Sequence, residues 1–318
     1  MRDAFSAELY DIAASNPNVI VMTGDTGLTV FGRFRTDFPD RFINMGVSEA
    51  NMIGVAAGLA LNGKVPFVYT IVPFLTMRPF EQIRVDICIQ NLPVKIVGVG
   101  GGLAYGPLGP THHSIEDVAI LRALPNMTVL VPCDPSESKR ATRAAFEDPG
   151  PVYVRLGKNG EPSLHENEYD FQIGRAVQMR DGNDATVIVT GGVTKYALEA
   201  SDCCAQVGLG VRVLDMHTNK PIDEDAIIQA AQETRAIVTV EEHNVIGGLG
   251  SAVAEVLAEA QAGIPFRRLG INDSFCYGVG GQEYHLANHG VTSEHIAKVV
   301  CGFFDVANGE AKLSGLTV

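Results

Sequence analysis

PFVYTIVPFLTMRPFEQIRVDICIQNLPVKIVGVG, residues 66–100, decides the fold. It opens and closes on short apolar runs rich in β-branched residues, with a helical pattern from Pro79 to Gln90 between them. Runs of this kind, without alternating polar positions, read as strands covered on both faces, the mark of a parallel sheet. A strand, a helix and a second strand within some thirty residues make a βαβ unit.

The rhythm continues on both sides. VIVMTG (19–24) precedes this unit, and MTVLVPC (127–133) and PVYVRLG (151–157) follow it. A helix pattern from Glu49 to Leu61 is rich in Ala and Gly, which permits close packing. A polar stretch, KNGEPSLHENEYD (158–170), interrupts the pattern before it resumes with ATVIVTGG (185–192), VRVLDM (211–216), AIVTVEEH (236–243) and FRRLGI (266–271). ALEASDCCAQVG and SAVAEVLAEAQAG are the clearest helices of this second half. The expected fold class is α/β: two doubly wound, mostly parallel-sheet domains. The first covers residues 1–160, the second and smaller covers 185–318, and 161–184 form the linker and the start of the second. The halves share architecture without a sequence repeat.

Composition narrows the function. The 318 residues carry 24 Lys+Arg against 37 Asp+Glu, a net charge of −13, with no basic run. Phosphate backbones and anionic membranes need clustered cations, so no nucleic acid and no membrane is expected as a partner, and small ligands remain. The N-terminus, MRDAFSAELYDIAASNPN, lacks the basic and apolar segments of an export signal, and no apolar stretch is long enough to span a bilayer. Cys88, Cys133, Cys203, Cys204, Cys276 and Cys301 show no C-x-x-C spacing and read as reduced thiols of a cytoplasmic protein. No H-E-x-x-H pattern occurs, so no metal is expected on this chain alone.

Three features carry possible chemistry. GVGGGLAYGPLGPTHH (98–113) fits neither a P-loop nor a dinucleotide fingerprint; it reads as a loop whose backbone approaches a ligand at a strand's carboxyl end. His112 and His113 end that loop, well placed for proton transfer. Glu49, in MGVSEANM, is either a first-turn acid favoured by the helix dipole or a desolvated carboxyl poised to share a proton with a ring nitrogen; spacing alone does not decide. Phe74 and Phe80 bracket FLTMRPF. They suit core packing, yet Phe74 directly follows Pro73 and could present its ring to a planar ligand.

These residues also carry a resemblance. FPDRFINMGVSEANMIGVAAGLALNGKVPFVYTIVPF (38–74), GPTHHSIEDVAILRALPNMTVLVPCDPSE (109–137) and DPGPVYVRL (148–156) resemble the pyrimidine-binding domain of thiamine diphosphate enzymes of the transketolase group. HTNKPID (217–223) and VEEHNVIGGLGSAV (240–253) resemble the C-terminal domain of the same group. The resemblance implies that Glu49 bonds N1′ of the aminopyrimidine and promotes the imino tautomer that deprotonates thiazolium C2. It implies that Phe74 stacks on that ring, that His112 contacts the reacting substrate, and that Asp25, in MTGDTG, lies near the cofactor. His113, Arg155 and Lys158 become substrate-binding candidates, while Glu241, Glu242 and His243 are expected to be structural.

The sequence contains no G-D-G, the family's diphosphate and metal motif. The resemblance therefore implies a split enzyme, in which a separate N-terminal-section subunit supplies most of the Mg²⁺ (or Ca²⁺) site and the assembly is an α2β2 heterotetramer. Three positions depart from sugar-phosphate transketolases: Leu108 replaces an Asp, Gly100 a His and Lys158 an Arg. The implied activity is transfer of a two-carbon ketol unit from a ketose to an aldose. The alternatives are the β subunit of the first component of a 2-oxo acid dehydrogenase, a deoxyxylulose phosphate synthase-like enzyme, and a non-catalytic regulatory subunit.

Overall fold

The structure, a computed structural model, describes residues 1–158, 160–165 and 169–304. The rest of the expected linker and second domain, 166–168 and 305–318, lies outside the described residues.

Six strands form the parallel part of the first sheet: β1 (Val19–Thr23), β2 (Phe42–Asn44), β3 (Val65–Ile71), β4 (Lys95–Val99), β5 (Thr128–Leu130) and β6 (Val152–Leu156). The second half contributes β7 (Val177–Arg180), β8 (Ala185–Val189), β9 (Val211–Asp215), β10 (Thr218–Lys220), β11 (Ile237–Asn244) and β12 (Phe266–Ile271). The strand orders are β10-β5-β6-β4-β3-β1-β2 and β12-β11-β8-β9-β7. β1, β4, β6, β8 and β9 are buried along their whole length, as their mainly apolar runs imply, with Lys95, Arg155, Thr186, Arg212 and Asp215 buried among them.

Alternation through the pleat sends neighbouring residues to opposite faces. Val21, Phe67 and Tyr69 pack with Phe5, Leu9 and Ile12 of the helix Arg2–Ser15. Ile20, Met22 and Val68 pack on the other face with Met52, Ile53 and Ala56 of the helix Glu49–Leu61, whose bounds match the sequence reading.

Three features differ from that reading. Pro79–Gln90 is not one α-helix: a single turn, Phe80–Gln82, leads into a wide π-helical segment, Ile83–Cys88. The wider turn lets Ile83, Ile87 and Cys88 all reach the core. The second sheet begins at β7, a strand that the sequence reading does not single out, within the segment 161–184 expected to hold the linker and the start of the second domain; it is an antiparallel edge strand paired with β9. Finally, β10, within HTNKPID, leaves the second half and pairs antiparallel with β5 in the first sheet.

That crossing strand is one of several ties between the halves. Arg155, at 6% exposure, donates from Nε to Asp117 Oδ2 at 2.8 Å and from Nη2 to the Ser114 carbonyl (2.8 Å) and the Glu242 carbonyl (2.9 Å). The Leu103 N–H donates to Glu242 Oε1 at 2.7 Å, and the Asn244 N–H to the Ile115 carbonyl at 2.8 Å.

Candidate active site

β1 has β2 on one side and β3 on the other, so the chain winds away from β1 in both directions. Open α/β sheets bind ligands at the carboxyl ends of strands beside such a reversal. Asp25 follows β1, Glu49 follows β2, Phe74 and Arg78 follow β3, Tyr105 and His112 follow β4, and Lys158 follows β6.

Glu49 is the first residue of its helix and only 4% exposed. Gly46, at φ +68°, turns the chain from β2 toward that helix, and the Met45 N–H donates to the Thr23 carbonyl at 2.8 Å. Arg78 Nη1 donates to both Glu49 carboxylate oxygens, at 3.1 and 3.0 Å. The same guanidinium lies 4.3 Å from the centroid of the Phe74 ring. Phe74 meets His112 edge to face, with centroids 5.1 Å apart at 74°. His112 Nδ1 is 3.0 Å from Thr111 Oγ1, and its ring is 6.2 Å from Tyr105. Lys158 Nζ sits 4.8 Å from the Tyr105 centroid. A carboxylate, two cations, two aromatic rings and an imidazole thus form one continuous line. Asp25 is exposed at the β1–β2 end, where it exchanges two hydrogen bonds with Asn44 at 3.0 and 3.1 Å.

Two expected substrate-binding residues point elsewhere. His113 is 4% exposed, and its Nε2 is 3.2 Å from the Gly106 carbonyl. Its ring lies 5.2 Å from His285 of the second half. Burial, with the neighbouring histidines, holds it below its ordinary pKa, so it is neutral at pH 7. Arg155 is consumed by the domain contacts described above. The cause is the extent of the strand: Arg155 lies within β6, which is buried along its whole length, whereas Lys158 lies beyond its end.

Arg78 and Tyr105 escape the sequence reading. Arg78 follows Phe74 by four residues across the helical turn Val72–Thr76, a spacing that brings side chains together. Tyr105 is hidden among glycines, yet Gly100 explains it. A Cβ on Gly100, which has φ +78°, would lie 2.1 Å from the Tyr105 ring. The Tyr105 ring therefore fills the space of the side chain that position 100 lacks.

The donor set fits the aminopyrimidine half of thiamine diphosphate: a buried carboxyl for a ring nitrogen, an aromatic face and a nearby imidazole. A diphosphate with its divalent metal needs several converging oxygen ligands. The crevice carboxylates are Glu49, held by Arg78, and Asp25, held by Asn44, so they do not supply that set.

Comparison with known proteins identifies both halves of the chain. Residues 1–161 match the transketolase pyrimidine binding domain, and residues 174–296 match the transketolase C-terminal domain. An apulose-4-phosphate transketolase subunit from Phocaeicola vulgatus is 38% identical over 95% of this chain and 96% of its own. A 6-deoxy-6-sulfo-D-fructose transketolase subunit from a Clostridium species is 38% identical over 94% of this chain and 92% of its own. A solved split gene transketolase, described as an inactive β4 tetramer, superposes with a TM-score of 0.87 at 39% identity, covering 96% of this chain and 98% of that one. The chain belongs to the transketolase family, as a subunit of the split type of thiamine diphosphate-dependent transferase.

Proposed function

We propose that this chain is the pyrimidine-side subunit of a two-chain transketolase that moves a two-carbon ketol unit from a ketose donor to an aldose acceptor. The observation that carries the proposal is the placement of Glu49, Phe74 and His112 in one crevice, on a buried carboxyl and two rings in contact. Thiamine diphosphate, when bound, supplies a nucleophilic carbon that accepts the ketol unit and hands it on.

Each residue then has a role. Glu49 shares a proton with a pyrimidine nitrogen, and its burial removes water that would compete for that bond. Phe74 offers an apolar face to the ring. His112, oriented by Thr111, moves a proton at the substrate's reacting oxygen. Asp25 lies at the partner-facing end of the crevice. Lys158, steered by the Tyr105 ring, attracts the anionic end of the substrate as a point charge. The Phocaeicola and Clostridium relatives carry the names of a phosphorylated and a sulfonated ketose, both anionic, which supports a donor of that class here.

The metal and diphosphate belong to a separate chain that carries G-D-G, in an α2β2 assembly that also needs Mg²⁺ or Ca²⁺. Apolar side chains are exposed beside the site elements: Val47 near Glu49, Met77 beside Arg78, and Leu108 in the His112 loop. Such a rim suits a partner surface. The solved β4 relative is described as inactive, in keeping with a chain that lacks half its site. The six free cysteines suit a cytoplasmic setting. Among the described residues, no helix is long and apolar enough to cross a membrane.

The test is affinity capture of the tagged chain from its native extract, followed by donor screening of the complex. A stoichiometric partner carrying G-D-G, with turnover of hydroxypyruvate or a ketose phosphate, is expected. Turnover by the chain alone, or pyruvate as the sole donor, would sink the proposal.

A further inference from the structure

A second cluster lies away from the crevice, where the two halves and the connecting segment meet. Cys133 follows β5, and Glu137 is in the first turn of the helix Pro135–Glu147. His165 belongs to the connecting segment, and Asp215 ends β9. Their donor atoms all lie within 4.8 Å of one another. From these four side chains, we propose a structural zinc site that clamps the first half, the connecting segment and the second half together.

The distances carry the argument. His165 Nε2 lies 3.4 Å from Glu137 Oε1, 3.6 Å from Cys133 Sγ and 3.8 Å from Asp215 Oδ2. In a tetrahedron the ligand–ligand edge is about 1.6 times the bond length. Zinc bonds of roughly 2.0–2.3 Å therefore give edges of roughly 3.3–3.8 Å. All three His165 edges fall in that range. An ion pair made by a protonated His165 would instead pull one carboxylate to about 2.7–2.9 Å.

The surroundings are those of a built site. Asp215 is fully buried and its Oδ2 has no hydrogen-bond partner, while Thr194 Oγ1 is 3.4 Å from Oδ1. A buried carboxylate oxygen without a donor is costly and calls for a cation. Glu137 is oriented by the Tyr169 hydroxyl, which donates to Oε1 at 2.6 Å, and by the Cys133 N–H, which donates to Oε2 at 2.7 Å. The backbone N–H of His165 donates to Asp134 Oδ2 at 3.0 Å and so anchors the connecting segment there. Such outer partners fix the ligands of a metal. Thiolate, imidazole and carboxylate donors select zinc over magnesium or calcium. The sequence shows no zinc motif because the donors come from three segments far apart in the chain, with only Cys133 and Glu137 close together.

The experiment uses the full chain stripped with a chelator and reloaded with Zn²⁺ or Co²⁺. We expect one metal per chain by elemental analysis, and a thiolate-to-cobalt charge-transfer band with the intense visible absorption of a tetrahedral centre. Cys133→Ser should remove the band and weaken zinc by more than the roughly 10–100-fold that losing an outer partner costs. Cys276→Ser, which alters the chain's other close Cys–His contact (3.1 Å to His289), should leave both intact. Substoichiometric metal, or a band that survives Cys133→Ser, would overturn the proposal. Should that variant fail to fold, Asp215→Asn decides: zinc should raise the thermal midpoint of the native chain and not of this variant. An equal rise in both would refute the site.

Discussion

Replacing Arg155 by Met tests whether that side chain serves the fold or the substrate. The guanidinium makes a 2.8 Å bond to Asp117 and bonds of 2.8 and 2.9 Å to two carbonyls, one from each half of the chain. Asp117 is fully buried, receives the Tyr153 hydroxyl at 2.6 Å, and has a second oxygen without a donor. Burial by itself would raise its pKa, and Arg155 together with His243 and the Tyr153 hydroxyl outweighs that to hold the carboxyl below its usual range. Removing one member of a buried pair costs about 3–5 kcal/mol, and losing the bonds to two carbonyls, of which that of Ser114 keeps the Gly102 N–H at 2.9 Å, adds about 1 kcal/mol. With an unfolding entropy near 0.6 kcal/mol per kelvin for roughly 300 residues, a loss of about 4–6 kcal/mol lowers the thermal midpoint by about 6–10 °C. The same change in an Asp117→Asn background should cost about 2–3 kcal/mol less, because no buried charge is stranded. Thermal unfolding of the four proteins in the cycle measures both quantities. A midpoint unchanged within a degree or two, or equal losses in both backgrounds, would refute a structural role. A raised KM for the donor at an unchanged midpoint would return Arg155 to the substrate.

Glu49→Gln should keep the thermal midpoint and lower kcat of the assembled enzyme by about 10²–10⁴-fold; retained turnover would favour a non-catalytic subunit. Arg78→Ala removes the group that occupies both the Glu49 carboxylate and the Phe74 face, so thiamine diphosphate should bind the assembled enzyme up to ~10-fold tighter. Calorimetric titration showing weaker binding would mean that Arg78 assists the cofactor instead. Lys158→Ala should raise KM for an anionic donor by about 10-fold with kcat little changed, and leave a neutral donor unaffected. Glu241 gives a pH test: burial, resisted by the Leu249 and Gly250 N–H groups, pushes its carboxyl up from 4.5 to about 7. Between those values the native state keeps a proton that the unfolded chain has released. The group's contribution is therefore full below pH ~4.5 and falls by about 3 kcal/mol as pH rises through ~7. In denaturant titrations Glu241→Gln should lose less stability than the native chain between pH ~5 and ~8, and parallel losses would refute the assignment.

The strands are legible because parallel strands buried on both faces leave largely apolar runs, as in VIVMT, and KIVGV and VYVRL depart from this only at Lys95 and Arg155. The helix Glu49–Leu61 is legible to the residue because a carboxylate opens it and small residues line it. The helix Arg2–Ser15 does not stand out in the same way: its buried Phe5, Leu9 and Ile12 are spaced for one face, but charged and polar residues fill the positions between them. β10 reads with the second half because sequence neighbours are expected to be spatial neighbours, and its pairing with β5 breaks that expectation. Glu49, Phe74 and His112 can be gathered because each follows a strand end of the same sheet. Arg155 and Lys158 are harder to separate. Only the length of β6 decides which cation faces inward, and strand ends are the least legible feature of a sequence.

The substitutions around the crevice act as a set rather than as three independent losses. Gly100 gives up a side chain, and the Tyr105 ring takes its space. That ring touches His112 on one side and Lys158 on the other. A cation over an aromatic face keeps its charge but is held at the ring, so Lys158 need not carry the rigid fork of an arginine to be directed. Leu108, 54% exposed, contributes no carboxylate, and the anionic end of a substrate would meet no like charge there. Restoring a histidine at position 100 would displace Tyr105 and with it the aromatic support of Lys158. On the proposed role of Lys158, specificity in this crevice is read by one lysine aimed through one tyrosine, and a change at either position alters what the other can recognise.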